Sequence, residues 1–106
     1  THLDSVRQVV TWARGNMENS GLDNIRWVVE DALKFVKREA KRGNKYNGLI
    51  LDPPAYGHGP DGEKWKLDEL LFELLTECSK IVALKMPLWY LIFIPTDIQP
   101  CWQTQQ

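Results

Sequence analysis

Cysteine is scarce in this 106-residue chain. Cys78 and Cys101 are too few for a disulfide scaffold, and such sparing use fits a reducing compartment. Net charge is nearly absent. Thirteen basic and fourteen acidic side chains leave −1, so no overall field draws the chain onto nucleic acid or an anionic membrane. The longest apolar run, residues 88–94, is far short of the ~20 residues a membrane helix needs. No basic-then-apolar leader opens the sequence, so the expected location is cytoplasmic, or organellar if a transit peptide preceded Thr1. Metal-ligand spacing is missing as well: His2 and His58 have no Cys or Asp partner at zinc-binding intervals. Finally, charge itself runs out, since after Lys85 only Asp97 remains.

What is present is ordinary globular composition, 43% hydrophobic and 25% charged, enough for one domain with a modest core. Ser5 and Gln8 form a capping-box pattern, and Val6, Val9, Val10, Ala13 and Met17 then recur on one helical face. Gly21 stands where that helix would end. Residues 25–29 read as a strand, residues 32–42 as a helix with Leu33, Val36 and Ala40 inward, stopped by Gly43 and Asn44. Leu49, Ile50 and Leu51 make a short unalternating run, the pattern of a strand buried on both faces. Residues 67–80 form a third helix with Leu70, Leu71, Leu74, Leu75 and Cys78 on one stripe, and residues 81–84 begin another strand.

Strands alternating with helices predict an α/β fold, mostly parallel, with helices on both faces of the sheet. His2, Leu3 and Asp4 read as the end of a strand already under way, and the sheet is expected to be truncated at both ends. In such sheets ligands bind just outside the carboxyl ends of the strands. Three acids stand there: Asp4, Asp31 and Asp52. Asp4 can accept two ribose hydroxyls or simply lend charge to a helix start. Asp31 can accept from an adenine amino group or cap the helix that begins at Ala32. The stretch Asp52-Pro53-Pro54-Ala55-Tyr56-Gly57 is more specific. Its prolines stiffen the turn and remove two donors, which frees carbonyls to face a ligand. Asp52 and the Pro53 carbonyl can take hydrogen bonds from an exocyclic amine, and Tyr56 offers a flat face for a base. The plainer alternative is a proline turn with Tyr56 packed on the sheet edge.

Asp4 after a strand, Val29-Glu30-Asp31-Ala32 after the next, and Asp52-Pro53-Pro54-Ala55-Tyr56-Gly57 after the third resemble the Rossmann-like S-adenosylmethionine-dependent methyltransferases. The continuation through Gly62, Trp65 and Leu67 is similar, more narrowly, to the ribosomal RNA large-subunit methyltransferase-like group. The resemblance covers about residues 1–82. It implies a Rossmann-like sheet and S-adenosylmethionine as cofactor, with a base of ribosomal RNA as methyl acceptor. By the same resemblance Asp4 would hold the ribose, while Asp31 and the Ala32 N–H would meet the adenine. Asp52, Pro53, Pro54 and Tyr56 would line the acceptor site. The family's glycine-rich loop after its first strand has no counterpart here, so the chain by itself is expected to be an inactive piece of such an enzyme.

Residues 86–106 are expected to be a divergent apolar tail to a partial methyltransferase domain at residues 1–85. For one permissible choice of codons, a one-nucleotide shift near Leu84 reads like the family's continuation, so a frameshifted or mis-spliced gene model is expected. Lys34, Lys37, Arg38, Lys41, Arg42 and Lys45 form a cluster that fits an RNA-backbone patch or a solvated helix face. Trp65 is either a lid over the acceptor pocket or an anchor for its loop. Cys78 reads as a small core residue rather than a nucleophile. Two competing functions remain: a catalytically inactive remnant of the same fold, and a nicotinamide-dependent oxidoreductase. The latter would place G-x-G-x-x-G between a first strand and its helix, which is not found, and would not explain Asp52-Pro53-Pro54.

Overall fold

The computed structural model describes residues 1–83 together with the backbone of Leu88–Leu91. β1 (His2–Asp4) leads into α1 (Arg7–Asn19), and β2 (Trp27–Val29) runs parallel to β1 with Asp4 opposite Val29. α2 (Ala32–Arg42) and β3 (Gly48–Leu51) follow, then an antiparallel hairpin of β4 (Tyr56–His58) and β5 (Lys64–Lys66). α3 (Leu67–Ser79) comes next, and β6 (Leu88–Leu91) returns parallel to β3. The α/β class and parallel pairing match expectation. The continuity does not: the described strands form three two-stranded sheets, β1–β2, β3–β6 and β4–β5.

Helix ends follow local chemistry. The capping box expected at Ser5 does not form; Val6 is the cap residue of α1 and makes no side-chain cap bond. Instead the Val6 N–H donates to Asp4 Oδ1 at 2.8 Å, so the strand-end acid two residues earlier takes the donor. At the other end Gly21, at φ 70°, lets its own N–H reach the Glu18 carbonyl while the Leu22 N–H reaches that of Met17. That is a left-handed helix stop, which glycine adopts without strain. α2 starts at the Asp31 cap and ends at left-handed Gly43.

The core gathers Phe35 and Val36 of α2, Trp65 of β5, Leu67, Leu74 and Cys78 of α3, and Ile81. On α2 the innermost stripe is Phe35, Val36 and Glu39, with Leu33 and Ala40 only partly covered. Burial pushes the Cys78 thiol up to about 11, which leaves it protonated and suits a core role. Two burial expectations fail. Ile50 is 70% exposed, so β3 covers one face through Leu49 and Leu51 rather than both. On α1 only Val10 is buried, while Val6, Val9 and Trp12 are exposed. The helix packs against β1 and β2, and three-residue strands offer too little surface for its whole apolar face.

Glu39 is fully buried on α2 and accepts from Asn44 Nδ2 at 2.7 Å and the Tyr46 hydroxyl at 2.8 Å. These bonds outweigh desolvation and hold its carboxyl below the usual value. Tyr46 in turn forms a parallel bridge to Val82; among the described residues of the strand expected at 81–84, this is the one bridge. The pairing strand is β6, inside the segment expected to diverge; residues 84–87 and 92–106, with Cys101, lie outside the described residues. A G-x-G-x-x-G spacing does occur, at Gly57, Gly59 and Gly62, but it lies in the β4–β5 hairpin. It is therefore not the strand-to-helix turn that a dinucleotide requires.

Candidate functional site

The parallel register of β1 and β2 brings the Asp4 and Asp31 ends side by side, and the Glu30 N–H donates to the Asp4 carbonyl at 3.2 Å. Each acid spends one oxygen on its own backbone. Asp4 Oδ1 takes the Val6 N–H, and Asp31 Oδ2 takes the Lys34 N–H at 3.1 Å. The second oxygen of each stays available to a ligand donor. The capping and the binding alternatives are therefore compatible. Ala32 opens α2, where a backbone N–H has no partner within the helix. Arg38 grips Glu30 with both guanidinium nitrogens, Nη1 to Oε1 at 2.7 Å, and so steadies the turn carrying Asp31.

Asp52 directly follows the last residue of β3 and is exposed. The following carbonyls are not equally free. That of Pro54 accepts the Trp65 indole N–H at 2.7 Å, and that of Ala55 accepts the Leu67 N–H at 2.9 Å. Among the described residues the Pro53 carbonyl receives no donor, and it is the one left to face a ligand. Tyr56 is 71% exposed at the start of β4, so its ring is not packed on a sheet edge. Trp65 is buried, which makes it an anchor for the loop rather than a lid.

The hairpin also reaches α2. Lys34 Nζ donates to Glu63 Oε1, and a cavity of about 290 Å³ beside this pair is lined by Asp31, Leu33, Lys34, Glu63 and Trp65, among others. Asp31 and the loop of residues 52–56 are thus linked through β4–β5, while no described contact joins Asp52 directly to Asp4. The sequence reading missed this hairpin. Its signal was Pro60-Asp61-Gly62, a turn sequence between two short runs, with Gly62 at φ 86°.

The basic cluster is mostly consumed internally. Lys34 pairs with Glu63, Lys37 with Glu73, Arg38 with Glu30 and Arg42 with Glu39, while Lys45 donates to the Lys80 carbonyl. Only Lys41 has no such partner among the described residues. The paired carboxylates cancel the field an RNA-backbone patch would need. Among the described residues there is no grouping of three or more His, Cys, Asp or Glu suited to a metal, and no helix long and apolar enough to cross a membrane.

No family model matches the chain. Ribosomal RNA large subunit methyltransferase I from two strains of Klebsiella pneumoniae is 29% identical over 58 residues, 53% of this chain and 14% of that protein. The chain thus spans a small part of those relatives. Among solved structures, the SAM-dependent methyltransferase from Agrobacterium tumefaciens aligns with a TM-score of 0.78 at 37% identity, over 88% of this chain and 32% of that one. SMU.776, described as a methyltransferase and crystallised with SAH, aligns with a TM-score of 0.66 at 20% identity, over 76% of this chain and 21% of that one. Over most of its length the chain is similar to S-adenosylmethionine-dependent methyltransferases and shares their α/β fold.

Proposed function

We propose that this chain supplies the nucleoside-binding and acceptor-facing strand ends of an S-adenosylmethionine-dependent methyltransferase whose acceptor is a base of ribosomal RNA. The observation that carries the reading is the pair of adjacent parallel strand ends bearing Asp4 and Asp31, each with one carboxylate oxygen uncommitted. Those oxygens suit ribose hydroxyls and an adenine amino group, and the Ala32 N–H suits a ring nitrogen. The name of the Klebsiella relatives supports ribosomal RNA as the acceptor.

When bound, S-adenosylmethionine supplies an activated methyl on a sulfonium with a neutral leaving group, so the protein's task is chiefly positioning. Asp52 and the Pro53 carbonyl are acceptors for an exocyclic amine of the base, and the exposed Tyr56 ring is a stacking surface.

The test measures labelled methyl transfer to deproteinised large-subunit ribosomal RNA, together with cofactor affinity. Asp52→Ala should slow transfer about 10- to 150-fold while sparing affinity, the effect of losing one charge-assisted bond worth about 1.5–3 kcal/mol. Asp4→Ala should do the reverse. The measurement is made on the chain and on a chimera carrying residues 1–83 in place of the matching segment of the Agrobacterium protein. The absence of both cofactor binding and methyl transfer in the chain and in the chimera would overturn the reading.

A further inference from the structure

The hairpin β4–β5 touches both halves of the candidate site, and its first residue, Tyr56, belongs to the acceptor side. On one side Trp65 donates its indole N–H to the Pro54 carbonyl at 2.7 Å, inside the loop that carries Asp52 and Tyr56. The Leu67 N–H holds the neighbouring Ala55 carbonyl at 2.9 Å. On the other side Glu63 takes Lys34 of α2, three residues beyond the Asp31 cap. Inside the hairpin, the Gly59 N–H donates to the Glu63 carbonyl at 2.7 Å, and the Asp61 N–H to the Glu63 carboxylate at 3.2 Å. Glu63 lies so close over Gly59 that a Cβ there would fall 1.8 Å from Oε2. The turn is drawn tight around the carboxylate that reaches Lys34.

The energetic weights differ. The Lys34–Glu63 pair is in contact with solvent and is screened there. The Trp65 ring is 9% exposed and seated in the core cluster with Phe35, Val36 and Leu67. A buried indole seldom leaves its N–H unpaired, and here its partner is the one carbonyl between Pro54 and Ala55. Pro54 has no N–H of its own, so its carbonyl is the one backbone group through which this residue can be held, and the indole holds it.

We infer that Trp65 is a positioning residue for the acceptor side: its indole N–H, held by the core, sets the Asp52-Pro53-Pro54-Ala55-Tyr56 loop relative to the Asp31 end of α2. The role assigned to that loop rests on the function proposed above, whereas the positioning itself does not. Trp65 touches no reacting atom. It acts by fixing where Asp52 and Tyr56 stand, and a displacement of an ångström at such a site suffices for large losses.

The experiment uses the full 106-residue chain, isotopically labelled for NMR, with Trp65→Phe and a second variant carrying 3-benzothienylalanine at position 65. The second keeps the bicyclic shape and removes only the N–H. Both should shift the amides of Asp52, Ala55 and Tyr56 and speed their hydrogen exchange, with β1, β2 and α1 unchanged. Titration with S-adenosylmethionine should give affinities within twofold of the parent. Titration with a mixed-sequence single-stranded RNA octamer should show binding at Asp52 and Tyr56 weakened about tenfold. Unchanged loop amides in both variants would overturn the inference, as would a loss of cofactor affinity equal to the loss of RNA binding. Global unfolding of the benzothienylalanine variant would also overturn it, by showing a role in the whole fold rather than in the loop. An unmodified chain whose Asp52 and Tyr56 ignore the octamer would sink the acceptor assignment, and the loop amides would still decide the positioning role.

Discussion

Asp31 is placed to do two jobs with two oxygens, and one substitution separates them. Oδ2 caps α2 through the Lys34 N–H at 3.1 Å, leaving Oδ1 for a ligand donor. Asn is as good a cap as Asp, so Asp31→Asn keeps the helix start. It loses only the attraction of a negative charge for the helix N-terminus, about 0.3–1 kcal/mol. The side-chain oxygen of Asn must then serve the cap, which turns its amide N–H₂ toward the position proposed for the adenine amino group. Donor meets donor there. The loss of one charge-assisted bond, about 1.5–3 kcal/mol, becomes a fall in S-adenosylmethionine affinity of roughly 10- to 150-fold. Asp31→Ala should show the same fall and lose the cap as well, about 1 kcal/mol of stability. Urea unfolding followed by circular dichroism reads the stability, and NMR titration at Ala32 and Lys34 reads the affinity. If Asp31→Asn kept cofactor affinity within twofold, or lost as much stability as Asp31→Ala, the division of labour between the oxygens would be wrong.

Two further outcomes concern the scaffold. Glu39, held by Asn44 and Tyr46, has a carboxyl pKa depressed in the folded state. Its contribution is therefore present above the ordinary value of 4.5 and lost as pH falls through the lower folded-state value. Glu39→Gln should lower stability at neutral pH by about 1–2 kcal/mol and flatten the acid limb of urea midpoints taken between about pH 3 and 7; parallel curves would refute it. The apolar run at residues 88–94 taken alone has the composition of an aggregation-prone segment, which favours its removal. The pairing of β6 with β3 argues the opposite, because deleting residues 86–106 strips β3 of its hydrogen-bonded neighbour and opens an edge. Soluble yield should fall on deletion, and a rise measured by expression and centrifugation would contradict the pairing.

The sequence by itself determined the parts governed by near neighbours. Residues 32–42 are helical from propensity, an Asp cap and a left-handed Gly43, all within a few residues of one another. The acids stand at strand ends because a short apolar run stops where the chain turns polar, which is visible letter by letter. Tertiary structure decided what depends on partners far along the chain. Periodicity marks Ile50 and Val9 as apolar but does not say what covers them, and both are exposed. No local pattern singles out Glu39, yet it is buried with Asn44 and Tyr46 bonded to it. Residues 88–91 read as an irregular apolar tail, whereas the free edge of β3 recruits their backbone into a strand. Whether Trp65 was lid or anchor rested on one hydrogen bond to a carbonyl eleven residues earlier. Strand pairing and burial are contests between distant surfaces for the same contacts, and no local pattern records which surface wins.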